Sequence, residues 1–170
     1  NRELTTTYDW YSGGRMSRLT EWLNEDGAVS VERSSQMQMD PLSPHALELI
    51  SLLAETELGD LPSADEFSRL LAWDGYEHAE SREALVFQNW VRRHLRPRLV
   101  RERLRAEGLD GAAVDVAASL LLKDESFGGD LRGDLALVPW MTRTFEASQR
   151  AALLDETLRA THDELETLLG

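Results

Sequence analysis

The stretch that decides the fold class is the last one, Phe145–Gly170, which reads FEASQRAALLDETLRATHDELETLLG. Its large apolar side chains recur mostly at intervals of three, four and seven residues, the spacing that places them on one face of an α-helix. The stripe consists of Phe145, Leu154, Leu158, Leu165, Leu168 and Leu169. We therefore predict a long amphipathic helix that ends at Gly170.

Shorter segments with the same spacing precede this helix. One begins at Arg15, and four others begin at a serine and end near glycine or proline. Ser43 is followed by a proline at the first helical position, and Ser63 with Glu66 has the spacing of a capping box. Pro97 is expected to kink or divide the helix that follows Ser81. The predicted start residues are Ser30, Ser43, Ser63 and Ser81. The fold class is mainly α, with six or seven helices joined by short turns.

Two stretches interrupt the helical pattern and define the expected domain organisation. Residues 1–14 contain a threonine run and a glycine pair, and they predict a loop or short strand. Residues 15–170 are expected to form one helical domain, with a candidate sub-boundary near 124–134, where glycines and charges predict a loop. Residues 112–122 are apolar on nearly all sides, which predicts a buried helix.

The net charge is −13, but the basic residues are concentrated in one place. Seven arginines lie between Arg92 and Arg105, with Glu102 as the one acid among them. This stretch is either a patch for an anionic ligand or nucleic acid, or a basic helix face packed against acidic neighbours. The second interpretation is favoured because aromatic residues for base stacking are missing and the acidic remainder repels phosphate. We expect no nucleic-acid partner.

Motifs with a known chemistry are not found in the sequence. The four histidines form no His-x-x-x-His pair, and there is no cysteine, so a metal site is not expected. No Gly-x-Ser-x-Gly elbow occurs. The longest apolar run, residues 117–122, is far short of the roughly 20 residues that span a bilayer, so no membrane partner is expected. Taken alone, the residues predict a helical domain without a recognisable reaction.

Three blocks in the first ninety residues nevertheless carry a resemblance. Asn1-Arg2 is followed by a glycine and an arginine-aliphatic pair in Gly14–Leu19, and Gln38–Ala46 has the pattern Gln-x-Asp-x-x-Ser-x-x-Ala. Leu71–Gly75 ends in Trp-Asp-Gly and is followed by Ser81, Ala84, Phe87 and Trp90. In this order and spacing, the blocks resemble the penicillin acylase (penicillin amidase) family of N-terminal-nucleophile hydrolases. Residues 91–170 are compatible with that family in length and helicity.

The resemblance implies a place for the chain in a larger enzyme. The family fold is an αββα core with helical insertions, and this chain would be a helical insertion of the β-subunit. Family enzymes are precursors that process themselves autoproteolytically and free a serine whose own α-amine serves as the base. That serine is expected outside this chain, which would then be inactive alone. The implied partners are the α-subunit, the catalytic core of the β-subunit and a small N-acyl substrate, penicillin-like or related.

The resemblance also implies two site residues and some general properties. Arg18, with Arg15 as the alternative, would be the arginine that organises the amine of the nucleophile. Asn1 would be either the asparagine that donates to the oxyanion or its neighbour. No cofactor is expected in this segment, although family enzymes bind a structural calcium elsewhere. The implied compartment is periplasmic or extracellular, and the implied role is antibiotic metabolism.

The same residues also have interpretations that are purely structural. Arg18 is spaced to pair with Glu21 on a helix surface. Asp40, Ser43 and Asp74 are the kind of short polar residues that satisfy backbone donors beside prolines and helix starts. The alternative to an enzyme segment is an independent acidic helical module that binds a protein partner. Such a module should bury its apolar faces within itself, whereas a segment of a larger enzyme should leave some of them exposed.

Overall fold

The computed structural model describes residues 14–25, 30–59, 64–123 and 137–169, and within these ranges the chain is almost entirely helical. These residues form no β-strand, and their one isolated bridge pairs Leu42 with Tyr76. The prediction of a mainly α protein is confirmed. The helices are α1 (Gly14–Asn24), α2 (Val31–Met39), α3 (Pro44–Ala54), α4 (Ala64–Leu71), α5 (Arg82–Asn89), a π-helical segment (Trp90–Leu95), α6 (Arg96–Ala106), α7 (Gly111–Lys123), α8 (Leu137–Thr144) and α9 (Ala147–Leu169).

The central element is a continuous rod in which α5, the π-helical segment and α6 follow one another without a break. Pro97 explains the change of helix type. Proline has no N–H to give to the carbonyl four residues earlier, and its ring would collide with that carbonyl in a regular α-helix. The wide turn before it, in which the Arg96 N–H bonds to the Val91 carbonyl, accommodates the ring. The rod is therefore not divided at Pro97; the helix type changes before the proline, where a π-helical turn replaces an α-helical one.

The core is centred on the aromatic residues of this rod. Phe87 and Trp90 have no exposed surface, and their ring centroids lie 6.0 Å apart. The Phe87 ring also contacts the rings of Trp73, at 5.4 Å, and His45, at 5.6 Å. The indole N–H of Trp90 donates to the Thr157 hydroxyl of α9 at 3.0 Å, so the polar atom of this buried side chain has a partner. The rod is therefore joined to α9 by both packing and a buried hydrogen bond.

Most predicted helix starts are found, with one difference in the capping contact. The hydroxyls of Ser30 and Ser81 accept the backbone N–H groups of Arg33 and Ala84, each at 3.1 Å, as N-caps do. Ser43 precedes α3 as predicted, but its buried hydroxyl makes no cap hydrogen bond. It lies 2.8 Å from His45 Nδ1 instead. Pro44 at the start of α3 has no N–H to satisfy.

Three details of the sequence-based prediction are wrong. Residues 112–122 do form a helix, α7, but Val116 and Leu120 are 62% and 63% exposed, because α7 packs mainly against α6. Helix α8 was not predicted. If α5, the π-helical segment and α6 are counted as one helix, the described residues form eight helices. Phe145 lies before α9, not within it.

Some predictions fall outside the described residues and stay predictions. They concern the loop or strand at residues 1–13, the loop at 124–134, the cap contact of Ser63 and the helix end at Gly170. In the described parts of the chain, no helix combines the length and apolarity that crossing a bilayer requires.

Leu49 of α3, a member of the buried core, gives a direct test of the packing. We expect Leu49→Ala to lower the free energy of unfolding by about 2–5 kcal/mol, because Leu49 is fully buried and the substitution leaves a cavity. Leu85→Ala is the matched control on a helix of the same core. Since Leu85 is 55% exposed, its substitution should change the free energy by no more than about 0.5 kcal/mol. Equal losses in urea unfolding would contradict this core.

Candidate functional site

Helix α1 presents Arg18 and Trp22 on one face, because residues four apart are neighbours on a helix surface. Both side chains reach the same oxygen atom of Asp40. Arg18 Nε donates to Asp40 Oδ2 at 2.6 Å, and Trp22 Nε1 donates to it at 2.7 Å. The guanidinium of Arg18 also lies 5.8 Å from the centroid of the Trp22 ring, within the range of a cation–π contact. The three side chains form a cluster, which we call the Arg18 cluster.

Asp40 is placed by the backbone that surrounds it. It caps the C-terminus of α2 with extended dihedral angles, φ −65° and ψ 112°, as the residue before a proline prefers. Its second oxygen, Oδ1, accepts the backbone N–H of Leu42 at 3.1 Å. The carboxylate therefore holds its local turn with one oxygen and the two side chains of α1 with the other. Its side chain is only 5% exposed.

The segment that follows Asp40 is held by the turn at Gly75. The Ser43 N–H donates to the Gly75 carbonyl at 2.9 Å, and the Glu77 N–H donates to the Pro41 carbonyl at 3.0 Å. Gly75 has a φ of 79°, and a Cβ there would lie 2.8 Å from Leu47 Cδ2, so glycine suits this turn for both reasons. The second sequence block, which contains Asp40, thus meets the third block at this turn. The Asp40 carboxylate also binds Arg18 of the first block.

The charges of the Arg18 cluster reinforce one another. Burial by itself raises the pKa of Asp40, but hydrogen bonds from Trp22, Leu42 and Arg18, together with the charge of Arg18, outweigh it and lower that pKa. The pKa of Arg18 is raised, first by its hydrogen bond to Glu21 and then, against desolvation, by Asp40. Both groups are therefore charged at neutral pH.

A second arginine closes the cluster from the side of α2. Arg33 Nη2 donates to the backbone carbonyl of Trp22 at 2.7 Å and to Glu25 at 3.2 Å. Its guanidinium lies 5.4 Å from the Trp22 ring centroid. Trp22 is thus in contact with two guanidinium groups, and the half-buried indole links α1 to α2.

The structure describes only some of the predicted site residues and their contacts. Arg18 makes the predicted surface pair with Glu21, at 2.7 Å, and in addition a partly buried pair with Asp40. Asn1 and the side chain of Arg15 lie outside the described residues. Asp40 and Asp74 do satisfy backbone donors two residues later, as expected. The contact between Arg18 and Asp40 was not predicted, because it joins residues 22 positions apart and spacing along one helix carries no signal for it.

The arginine-rich stretch is engaged with acids of the same chain. Arg101 pairs with Asp115 of α7 at 3.0 Å, and Arg105 pairs with Glu102 at 2.6 Å. Further pairs join Arg93 to Glu164, Arg98 to Glu102 and Glu156, and Arg103 to Glu107. These contacts favour the interpretation of a basic helix face packed against acidic neighbours. Among the described residues, no group of histidine and acidic side chains has an arrangement that could hold a metal ion.

Comparison with known proteins identifies the class of this chain. The family model described as penicillin amidase matches residues 1–170. The chain therefore belongs to the penicillin amidase family, a family of hydrolases, and the resemblance carried by the three sequence blocks is confirmed. Neither the curated proteins nor the solved structures contain a match to the chain.

The lowered pKa of Asp40 leads to a prediction about acid stability. We expect Asp40→Asn to lower the free energy of unfolding by about 1–3 kcal/mol at pH 7, because a charged hydrogen-bond acceptor is lost in a buried place. Because the folded pKa is below the unfolded one, the contribution of the carboxylate is complete above the unfolded pKa, near 3.9. It disappears as the pH falls through the folded pKa.

Urea unfolding of both proteins between pH 7 and pH 3 measures this contribution. The stability difference should be widest at neutral pH and should shrink below about pH 4. A difference that stays constant over this range would show that Asp40 has no lowered pKa in the folded state.

Proposed function

We propose that the full-length gene product hydrolyses the amide bond of small N-acyl compounds, penicillin-like or related, and that this chain is a helical segment of its β-subunit. The observation that carries the proposal is the family match over residues 1–170. As the resemblance implies, the nucleophile is a serine outside this chain that autoproteolysis exposes, and its own amine takes the proton. The partners are then the α-subunit and the catalytic core of the β-subunit, in a periplasmic or extracellular enzyme.

In this proposal Arg18 is the active-site arginine that organises the amine of the nucleophile, and Asn1 is an oxyanion donor or the neighbour of one. Two features of the structure support Arg18. Its guanidinium is fixed by partners on two of its nitrogens, Nε and Nη1, and preorganised charge is what a catalytic electrostatic group requires. It also connects two of the three family blocks, because Arg18 lies in the first and its partner Asp40 in the second. Such a contact is not expected of an incidental surface arginine.

The alternative is an independent acidic helical module that binds a protein partner. The exposure of apolar side chains supports it less well. Val31 and Met39 of α2 are 82% and 78% exposed, and α2 buries none of its residues. Together with Val116 and Leu120 of α7, they leave apolar surface on two separate helices, whereas a self-sufficient module should cover such faces.

Arg18→Ala in the full-length gene product tests the proposed role. We expect kcat for a chromogenic N-phenylacetyl anilide to fall about 10²-fold, the order of loss found when one preorganised electrostatic group is removed. Arg18→Lys should recover little, since an ammonium cannot bond in two directions in one plane. Self-cleavage of the precursor, followed by gel electrophoresis, should slow in the same variants.

Arg103→Ala is the matched control for a helix-surface role. Arg103 forms an i,i+4 pair with Glu107 at 2.9 Å and is exposed, so its substitution should leave turnover and processing unchanged. If Arg18→Ala behaved like Arg103→Ala in both assays, Arg18 would be a surface residue without a place in the active site.

The location of the nucleophile gives a separate prediction. Residues 1–170 alone should not hydrolyse the anilide, whereas the full-length product should, because the proposed serine is not among these residues. Turnover by the isolated chain that disappears when one of its own serines is replaced by alanine would contradict the proposed location.

A further inference from the structure

Asp40 is the buried charged group that the proposed function does not yet use. Its carboxylate accepts three hydrogen bonds, from the side chains of Arg18 and Trp22 and from the backbone of Leu42. A local turn such as this needs only the Leu42 contact, which a neutral asparagine could make equally well. Burial of a carboxylate costs free energy unless the group is paired. The charge of Asp40 is therefore explained by the side chains of Arg18 and Trp22 that it binds.

What Asp40 holds is the orientation of the Arg18 guanidinium. A long arginine side chain on a helix surface samples many rotamers, and one exposed pair such as Arg18–Glu21 stabilises a single rotamer only weakly. The contact at Nε is different, because Asp40 is itself fixed by Leu42 and Trp22. The described side-chain contacts of Arg18 are made through Nε, to Asp40, and Nη1, to Glu21.

Trp22 contributes to the same geometry in two ways. Its indole N–H shares Oδ2 of Asp40 with Arg18 and so fixes the direction in which that oxygen points. Its ring lies beside the Arg18 guanidinium and in contact with Arg33 from α2, which limits the space that Arg18 can enter. The orientation of Arg18 therefore depends on a carboxylate and an indole that are themselves held by α2 and by the turn at Gly75.

We propose that Asp40, assisted by Trp22, is a positioning residue that aims the Arg18 guanidinium at the reacting groups of the amide hydrolase. This inference rests on the proposed function and adds to it a residue that acts only through Arg18. It distinguishes a charged Asp40 that serves catalysis from a carboxylate that merely stabilises the end of α2.

The test compares Asp40→Asn, Arg18→Ala and the double variant in the full-length gene product, with the N-phenylacetyl anilide as substrate. Asparagine keeps the size of the side chain and the acceptor for Leu42 but removes the charge. We expect Asp40→Asn to lower kcat by roughly 10- to 100-fold and to change KM by less than about threefold, because misplacing a catalytic group affects the transition state more than substrate binding. The double variant should be no slower than Arg18→Ala alone, because Asp40 then has nothing to position.

Asp74→Asn is the matched control for the turn. Asp74 Oδ1 accepts the N–H of the residue two positions later at 3.1 Å, as Asp40 Oδ1 does, but Asp74 is exposed. Its substitution should leave kcat unchanged. If Asp40→Asn does not fold, Trp22→Phe replaces it, since phenylalanine keeps the ring but cannot donate to Asp40. Trp22→Phe should lower kcat in the wild-type background and have no effect in the Arg18→Ala background.

The outcomes separate this inference from the function on which it rests. If Arg18→Ala is slow but Asp40→Asn and Trp22→Phe keep the wild-type kcat, the positioning role is wrong and the function stands. If Asp40→Asn lowers kcat equally with and without Arg18, Asp40 acts by another route and the inference is also wrong. If the wild-type enzyme neither hydrolyses the anilide nor reacts with phenylmethanesulfonyl fluoride, the proposed function and the inference fail together.

Discussion

The arrangement of this protein depends on the burial of the Phe87 ring at the centre of its core. Three other rings surround it, from α3, from the turn after α4 and from the π-helical segment. A buried aromatic residue contributes a large apolar area and prefers tilted neighbours, so it fixes both the distance and the angle of the elements around it. The turn that carries Trp73 is held in this way. That turn presents the Gly75 carbonyl to Ser43, which determines where the segment beginning at Asp40 lies. The core and the Arg18 cluster are thus linked by a short series of contacts.

The local part of this structure could be predicted from the sequence because it depends on neighbours in the chain. Ser30 and Ser81 were predicted to start helices, and their hydroxyls cap α2 and α5. The burial of α7 could not be predicted in the same way. An apolar helix indicates that a face will be covered, but it does not say whether a neighbour is present on each side. In the described residues α7 packs mainly on α6, and Val116 and Leu120 on its other face remain exposed.

The candidate site shows the same division between local and distant contacts. That Asp40 would accept a backbone N–H could be inferred from the proline beside it, and that Arg18 could reach Glu21 followed from helical spacing. The bond between Arg18 and Asp40 depends instead on where the tertiary structure places α1 relative to the C-terminus of α2. The family resemblance supplied a function for Arg18, and the structure supplies the carboxylate and the indole that orient it. Neither source alone would have connected the second sequence block to the first.

The π turn before Pro97 has a consequence for how this chain tolerates changes in length. A π-helical turn contains one residue more than an α-helical turn, so it is equivalent to a single-residue insertion that the rod has absorbed. Removing one residue from Trp90–Leu95 would therefore restore an α-helical turn and leave the same face of α6 toward the core. Leu99 would stay buried, and Arg98 and Arg101 would keep their acidic partners on α9 and α7. The cost of such a deletion would fall on Pro97, whose ring would then meet the carbonyl four residues earlier. The extra residue is thus what allows a proline to lie inside this rod.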